Sequence, residues 1–100
     1  MTTDVQIDEK IKLDIKEPSD YNVIMLNDEA TPIEWVIGIL KQIFRHSDSD
    51  AEALTMKIHT EGSAIAGTYK YELAEQKSVE AVNASRNHGF PLQLKVEESE

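Results

Sequence analysis

The segment from Val23 to Trp35 constrains the fold more than any other part of the chain. The apolar run Val23-Ile24-Met25-Leu26 stops at Asn27-Asp28-Glu29, and a helix start follows at once. Thr31 is placed as an N-cap, Pro32 at the first helical position, and Glu34 where the carboxylate of a capping box belongs. A strand end and a helix N-terminus are therefore joined by a short acidic loop. Such a corner suits a small ligand that carries a cation.

The rest of the chain can be read outward from this corner. Tyr21 to Leu26 is apolar at most positions, as a strand covered on at least one face would be. From Pro32 to about Arg45, the residues Ile33, Val36, Ile37, Leu40, Ile43 and Phe44 recur at helical spacing. His46-Ser47-Asp48-Ser49 breaks that helix. Ser49, with Glu52 three residues later, predicts a second capped helix from Asp50 to about Thr60, ended by Gly62.

Ser63 to Tyr69 reads as a second strand, small and partly exposed. A third helix is expected from about Glu72 to His88, with Ala74, Ala81, Val82 and Ser85 on one side and Gly89 as its C-terminal cap. Pro91 stops any continuation, and Leu92-Gln93-Leu94-Lys95-Val96 alternates as a third strand. The order β-α-α-β-α-β gives an α+β fold, a three-stranded sheet packed with three helices. Residues 19–97 form the expected core domain, with 97–100 its acidic, solvated end. Residues 1–18 mix acids and lysines with Val5, Ile7, Ile11, Leu13 and Ile15, and read as a flexible N-terminal extension.

Charge narrows the partners. A formal net charge of −9 would repel a phosphate polyanion, so nucleic acid is not expected, and a cationic group or peptide terminus is favoured. There is no cysteine, which removes disulfide and thiolate chemistry. No apolar run has membrane-spanning length and no signal peptide is evident, so no membrane partner and a cytoplasmic location are expected.

Catalytic motifs are lacking. No nucleophile, base and acid stand in a recognisable motif, and there is no glycine-rich phosphate loop, so the chain does not read as an enzyme. His46 and His88 fall at expected helix C-termini, where partial positive charge suits the dipole. His59-Thr60-Glu61 lacks zinc-binding spacing, and the adjacent acids Asp28 and Glu29 are not by themselves a metal site. No metal and no cofactor are expected. Taken alone, Asn27, Asp28 and Glu29 are turn formers. His59 is either a helix-end partner or a hydrogen-bonding group near the acidic loop, and sequence spacing does not decide between them.

These residues together resemble the ClpS family, adaptors that hand N-end-rule substrates to the ClpAP protease. The stretches that carry the resemblance are Tyr21 to Glu29 with Thr31 to Val36, Ile58-His59-Thr60-Glu61-Gly62, Ala64 to Gly67, Glu72 to Lys77, and Pro91-Leu92. They stand in family order over about residues 20 to 96. The resemblance implies the same β-α-α-β-α-β fold and a pocket for the first residue of a substrate polypeptide. By it, Asn27, Asp28 and His59 would bind the free α-amino group, and Glu29 and Thr31 would border that site. Ile33, Val36, Thr55, Ile58 and Leu92 would shape the space for Leu, Phe, Tyr or Trp.

The resemblance further implies that Glu72 and Lys77 contact the N-terminal domain of a ClpA-type unfoldase, and that the N-terminal extension takes part in delivery. Two positions depart from the common pattern. Ile33 and Thr55 stand where the family often has Met, and both bear on the ranking of side chains. An alternative reading is a non-enzymatic docking module like the C-terminal domain of the ribosomal stalk protein, which shares this fold and binds folded partners.

Overall fold

The computed structural model of the chain describes residues 19–99; the expected N-terminal extension, residues 1–18, lies outside them. Three strands and three helices alternate as β1 (Asp20–Leu26), α1 (Ile33–Gln42), α2 (Asp48–Glu61), β2 (Ser63–Lys70), α3 (Tyr71–Asn87) and β3 (Gln93–Glu98). The sheet is antiparallel in the order β2-β1-β3. The α+β reading of the sequence is the observed fold.

β1 is central because both its neighbours pair with it. Leu26 stands opposite Ser63 on one side and Gln93 on the other. Val23 and Met25 are fully buried against the helices, and Tyr21 packs on the same core. Opposite Val23 and Ile24 of β1 the register of β2 slips, so that Ala66 has no partner residue of its own. One extra residue reverses the alternation of faces. Ala64 and Ala66 before the slip, and Tyr69 after it, therefore all turn towards the core. His46 Nε2 donates to Ala66 O at 2.5 Å and satisfies the carbonyl of the bulged residue.

The helices supply the other half of the core. Val36, Ile39 and Leu40 of α1, with Phe44 after it, meet Ala51 and Ile58 of α2. α3 contributes only small buried residues, Ala74, Ser78, Ala81 and Ser85, spaced to form one stripe that lies close on the sheet. Its end is a Schellman motif. Gly89 at φ +82° donates to Arg86 O, and Phe90 N–H reaches back to Ser85 O, both at 2.9 Å. Trp35 Nε1 donates to Ser85 Oγ at 2.8 Å and the indole packs on His88 and Phe90, which pins α1 to this end of α3.

Four local expectations need correction. Thr31 is not an N-cap. Pro32 occupies the cap position, in extended conformation, with no side-chain cap bond, and its carbonyl accepts from Trp35 N and Val36 N. The Thr31 side chain is turned instead to the loop, where its hydroxyl donates to Asp28. The first helix also ends at Gln42 rather than near Arg45, because the chain turns out through Arg45 at φ +65° and so brings His46 to the sheet. His46 therefore serves the bulge and not the helix dipole. Finally, α2 begins two residues early. Ser47, not Ser49, is its N-cap and accepts from Asp50 N at 3.2 Å, which places Asp48 and Asp50 in the favourable first turn. The third strand likewise runs to Glu98, beyond the expected Val96, and Ser99 N–H still bonds Asp20 O.

Candidate functional site

At the C-terminal end of β1 the chain leaves the sheet as Asn27, whose N–H donates to Gly62 O at 2.9 Å. Gly62 closes α2 in the left-handed region at φ +94° and donates to Ile58 O. A residue with a Cβ would be strained there. This turn holds the last turn of α2, with His59, beside the start of the acidic loop.

Asp28 organises the loop itself. Its Oδ1 accepts from Ala30 N at 2.8 Å and from Thr31 N at 2.7 Å, and its Oδ2 accepts from Thr31 Oγ1 at 2.7 Å. A carboxylate has about four acceptor positions. Three are used within the loop, so the group is fixed in place with about one position, on Oδ2, left for an outside donor.

A cavity of about 280 Å³ lies between this loop, the start of α1, the second half of α2 and Leu92. The structure brings together around it all ten residues that the resemblance assigns to an amino-terminus site: Asn27, Asp28 and His59, then Glu29 and Thr31, then Ile33, Val36, Thr55, Ile58 and Leu92. They divide by burial. Val36, Thr55, Ile58 and Leu92 are buried and make the wall, while Asn27, Glu29 and His59 are exposed and stand at the mouth. Ile33 is 50% exposed and forms part of the rim.

Leu26 and Pro32 also line the cavity and had been given no role. Their position on either side of the acidic loop was the available signal. Thr31 and Thr55 are buried hydroxyls that are both already committed as donors, Thr31 to Asp28 and Thr55 to Ala51 O at 2.7 Å. The site therefore offers a ligand mostly acceptors, which suits a group rich in N–H donors.

Glu72 and Lys77 lie elsewhere, on α3. Glu72 is exposed in its first turn. Lys77 is half-buried, donates to Ile43 O at 2.6 Å and sits 5.3 Å over the Tyr69 ring, so it ties α3 to the end of α1. Burial pushes the Tyr69 phenol above its ordinary range, and the Glu75 carboxylate beside Tyr71 does the same there. Among the described residues no three His, Cys, Asp or Glu side chains gather as a metal site, and no helix is long and apolar enough to cross a membrane.

The family model for "ATP-dependent Clp protease adaptor protein ClpS" matches residues 16–95. The chain belongs to the ClpS family. Among curated family members, the ATP-dependent Clp protease adapter protein ClpS of Treponema denticola is 44% identical over 81% of this chain and 80% of its own length. That of Caulobacter vibrioides (strain NA1000 / CB15N) is 36% identical over 88% of this chain and 81% of its own. Among solved structures, Agrobacterium tumefaciens ClpS2 bound to L-phenylalaninamide superposes with a TM-score of 0.80 at 36% identity, covering 83% of this chain and 100% of that one. The ClpS fold and the acceptor-rich cavity are thus found in one molecule.

Proposed function

We propose that this ClpS-family adaptor binds the free amino terminus of substrate proteins that begin with Leu, Phe, Tyr or Trp, and delivers them to a ClpA-type unfoldase of the ClpAP protease. The observation that carries the reading is the cavity that joins Asn27, Asp28 and His59 at its mouth to a buried apolar wall of Val36, Ile58 and Leu92. The ligand of the Agrobacterium relative, L-phenylalaninamide, combines a free α-amino group with a benzyl side chain, which is the chemistry such a cavity suits.

An α-ammonium group has three N–H donors and a positive charge. The Asn27 side-chain carbonyl, the remaining position on Asp28 Oδ2 and a neutral His59 ring nitrogen supply three acceptors. The net charge of −9 favours the approach of the cation. A charge-assisted bond contributes about 1.5–3 kcal/mol, and burial of one large apolar side chain about 1.5–3 kcal/mol. Micromolar affinity needs about 8 kcal/mol net. The side chain alone falls well short of that, and three such bonds reach it only at the top of their range, so the site reads the terminus and the side chain together.

Delivery would use the exposed start of α3. Glu72 is free to meet a partner there, and Lys77 holds the helix in place. The test is degradation of a fluorescent reporter with an N-terminal Phe by ClpAP, with and without the chain. Acceleration by the chain, and none for the same reporter beginning with Glu, is expected. Equal rates in all four reactions would contradict the proposal.

A further inference from the structure

The buried wall of the cavity is apolar except at Thr55. Thr55 and Ile58 stand three residues apart on one face of α2, and both are buried in the lining with Val36 and Leu92. The single hydroxyl proton of Thr55 is donated to Ala51 O at 2.7 Å. What remains for a ligand is an acceptor and nothing else. Thr31, the other buried hydroxyl of the lining, is engaged with Asp28 at the mouth and belongs to the amino end of the site.

We propose that Thr55 is a specificity residue, whose hydroxyl oxygen accepts a hydrogen bond from the phenol of an N-terminal tyrosine. The inference rests on the amino-terminus reading above and assigns one wall residue within it. A benzyl side chain in this cavity makes only apolar contacts. A phenol brings a hydroxyl whose burial without a partner is unfavourable, and an acceptor on the wall removes that cost. Discrimination between side chains that differ by one polar group is largest when a buried group would be left unpaired.

The substitution Thr55→Val keeps the branched shape and removes the acceptor. Ala51 O keeps the backbone bond from residue 55 within α2, so no group of the helix is left unsatisfied. Thr55→Ser keeps the hydroxyl and loses the methyl. The experiment is fluorescence anisotropy with two peptides that differ only in beginning with Tyr or Phe, against the full chain and both variants. In Thr55→Val the Tyr peptide is expected to lose about tenfold more affinity than the Phe peptide. Thr55→Ser is expected to keep the Tyr-to-Phe ratio of the unsubstituted chain. A ratio that moves by less than about threefold in Thr55→Val overturns the assignment. So does a matching shift in Thr55→Ser. Failure of both peptides to bind the unsubstituted chain overturns the amino-terminus reading, and this inference with it.

Discussion

Asn27 N–H donates to Gly62 O at 2.9 Å, and this bond joins the end of the central strand to the end of α2. Because Gly62 is left-handed, the same turn that stops the helix also presents its carbonyl to the loop. Asn27 and His59 meet at the cavity mouth as a result. The geometry of the mouth therefore depends on a residue that touches no ligand.

Gly62→Ala tests that dependence. Nothing lies within 4 Å of an added Cβ, so the cost is confined to the backbone. Placing an L-residue in the left-handed region costs about 1–2 kcal/mol. A domain of this size should lose about 4–8 °C in Tm for each kcal/mol, read by thermal denaturation. Peptide affinity should fall with it, as Asn27 and His59 lose their fixed spacing. Unchanged stability and affinity would show that the turn is not needed.

Asp28 has two jobs, and two substitutions separate them. Asp28→Ala removes the acceptor for Ala30 N, Thr31 N and the buried Thr31 hydroxyl. It should cost about 1–3 kcal/mol in stability and abolish peptide binding. Asp28→Asn keeps an amide oxygen for the two backbone N–H groups. It turns Oδ2, which accepts the Thr31 hydroxyl and holds the remaining position, into a donor that Thr31 Oγ1 must turn to accept, and it removes the negative charge. Stability should fall by less than in Asp28→Ala, while affinity for a free amino terminus drops tenfold or more, as measured by denaturant unfolding beside anisotropy. Equal loss of both in the two variants would mean that Asp28 serves the loop alone.

Much of this fold was legible in the sequence, for identifiable reasons. Strand β1, the corner at Asn27, the helical stripes and the stops at Gly62, Gly89 and Pro91 all follow from hydrophobic period and from the special conformations of glycine and proline. What was not legible depended on competition or on distant contacts. Ser49 with Glu52 has the pattern of a capping box, yet the turn through Arg45 starts the helix two residues earlier, with Ser47 as its cap. Thr31 has the pattern of a cap, yet the helix starts one residue later and its hydroxyl turns to Asp28. The bulge at Ala66 leaves no mark in a run of small residues, and the partner that stabilises it, His46, comes from another element. The resemblance named ten of the twelve residues that line the cavity, whereas spacing alone left His59 apart from the acidic loop.

Tyr69 gives a prediction on the alkaline side. Its phenol is raised by burial, so the folded state favours the neutral form. The stability this adds is present below the ordinary tyrosine value and is lost as pH rises through the higher folded value. Gly67→Ala would drive a Cβ into the Tyr69 hydroxyl and displace the ring. Ultraviolet titration of the variant should show Tyr69 returning towards ordinary behaviour, with lower stability. An unaltered titration curve would contradict the contact.

Binding should also depend on the proton of the ligand. A peptide α-amino group titrates near pH 7.7–8.0 when free. A site of acceptors favours its charged form, so the bound amine is raised, and affinity should be full between about pH 7 and 7.5 and decline as pH rises beyond 8. Calorimetry across pH 7 to 9.5 reads this directly. Affinity that increases with pH over that range would mean that the neutral amine is the species bound.

The most direct measurement of the central claim compares one peptide beginning with Phe, in free and N-acetylated forms, by fluorescence anisotropy against the full chain. Acetylation removes the charge and two donors while leaving the side chain intact. The free peptide is expected to bind with micromolar or tighter affinity, and the acetylated form at least a hundredfold more weakly (about 2.7 kcal/mol or more). Equal binding of the two would contradict the assignment of Asn27, Asp28 and His59 to a protein's amino terminus.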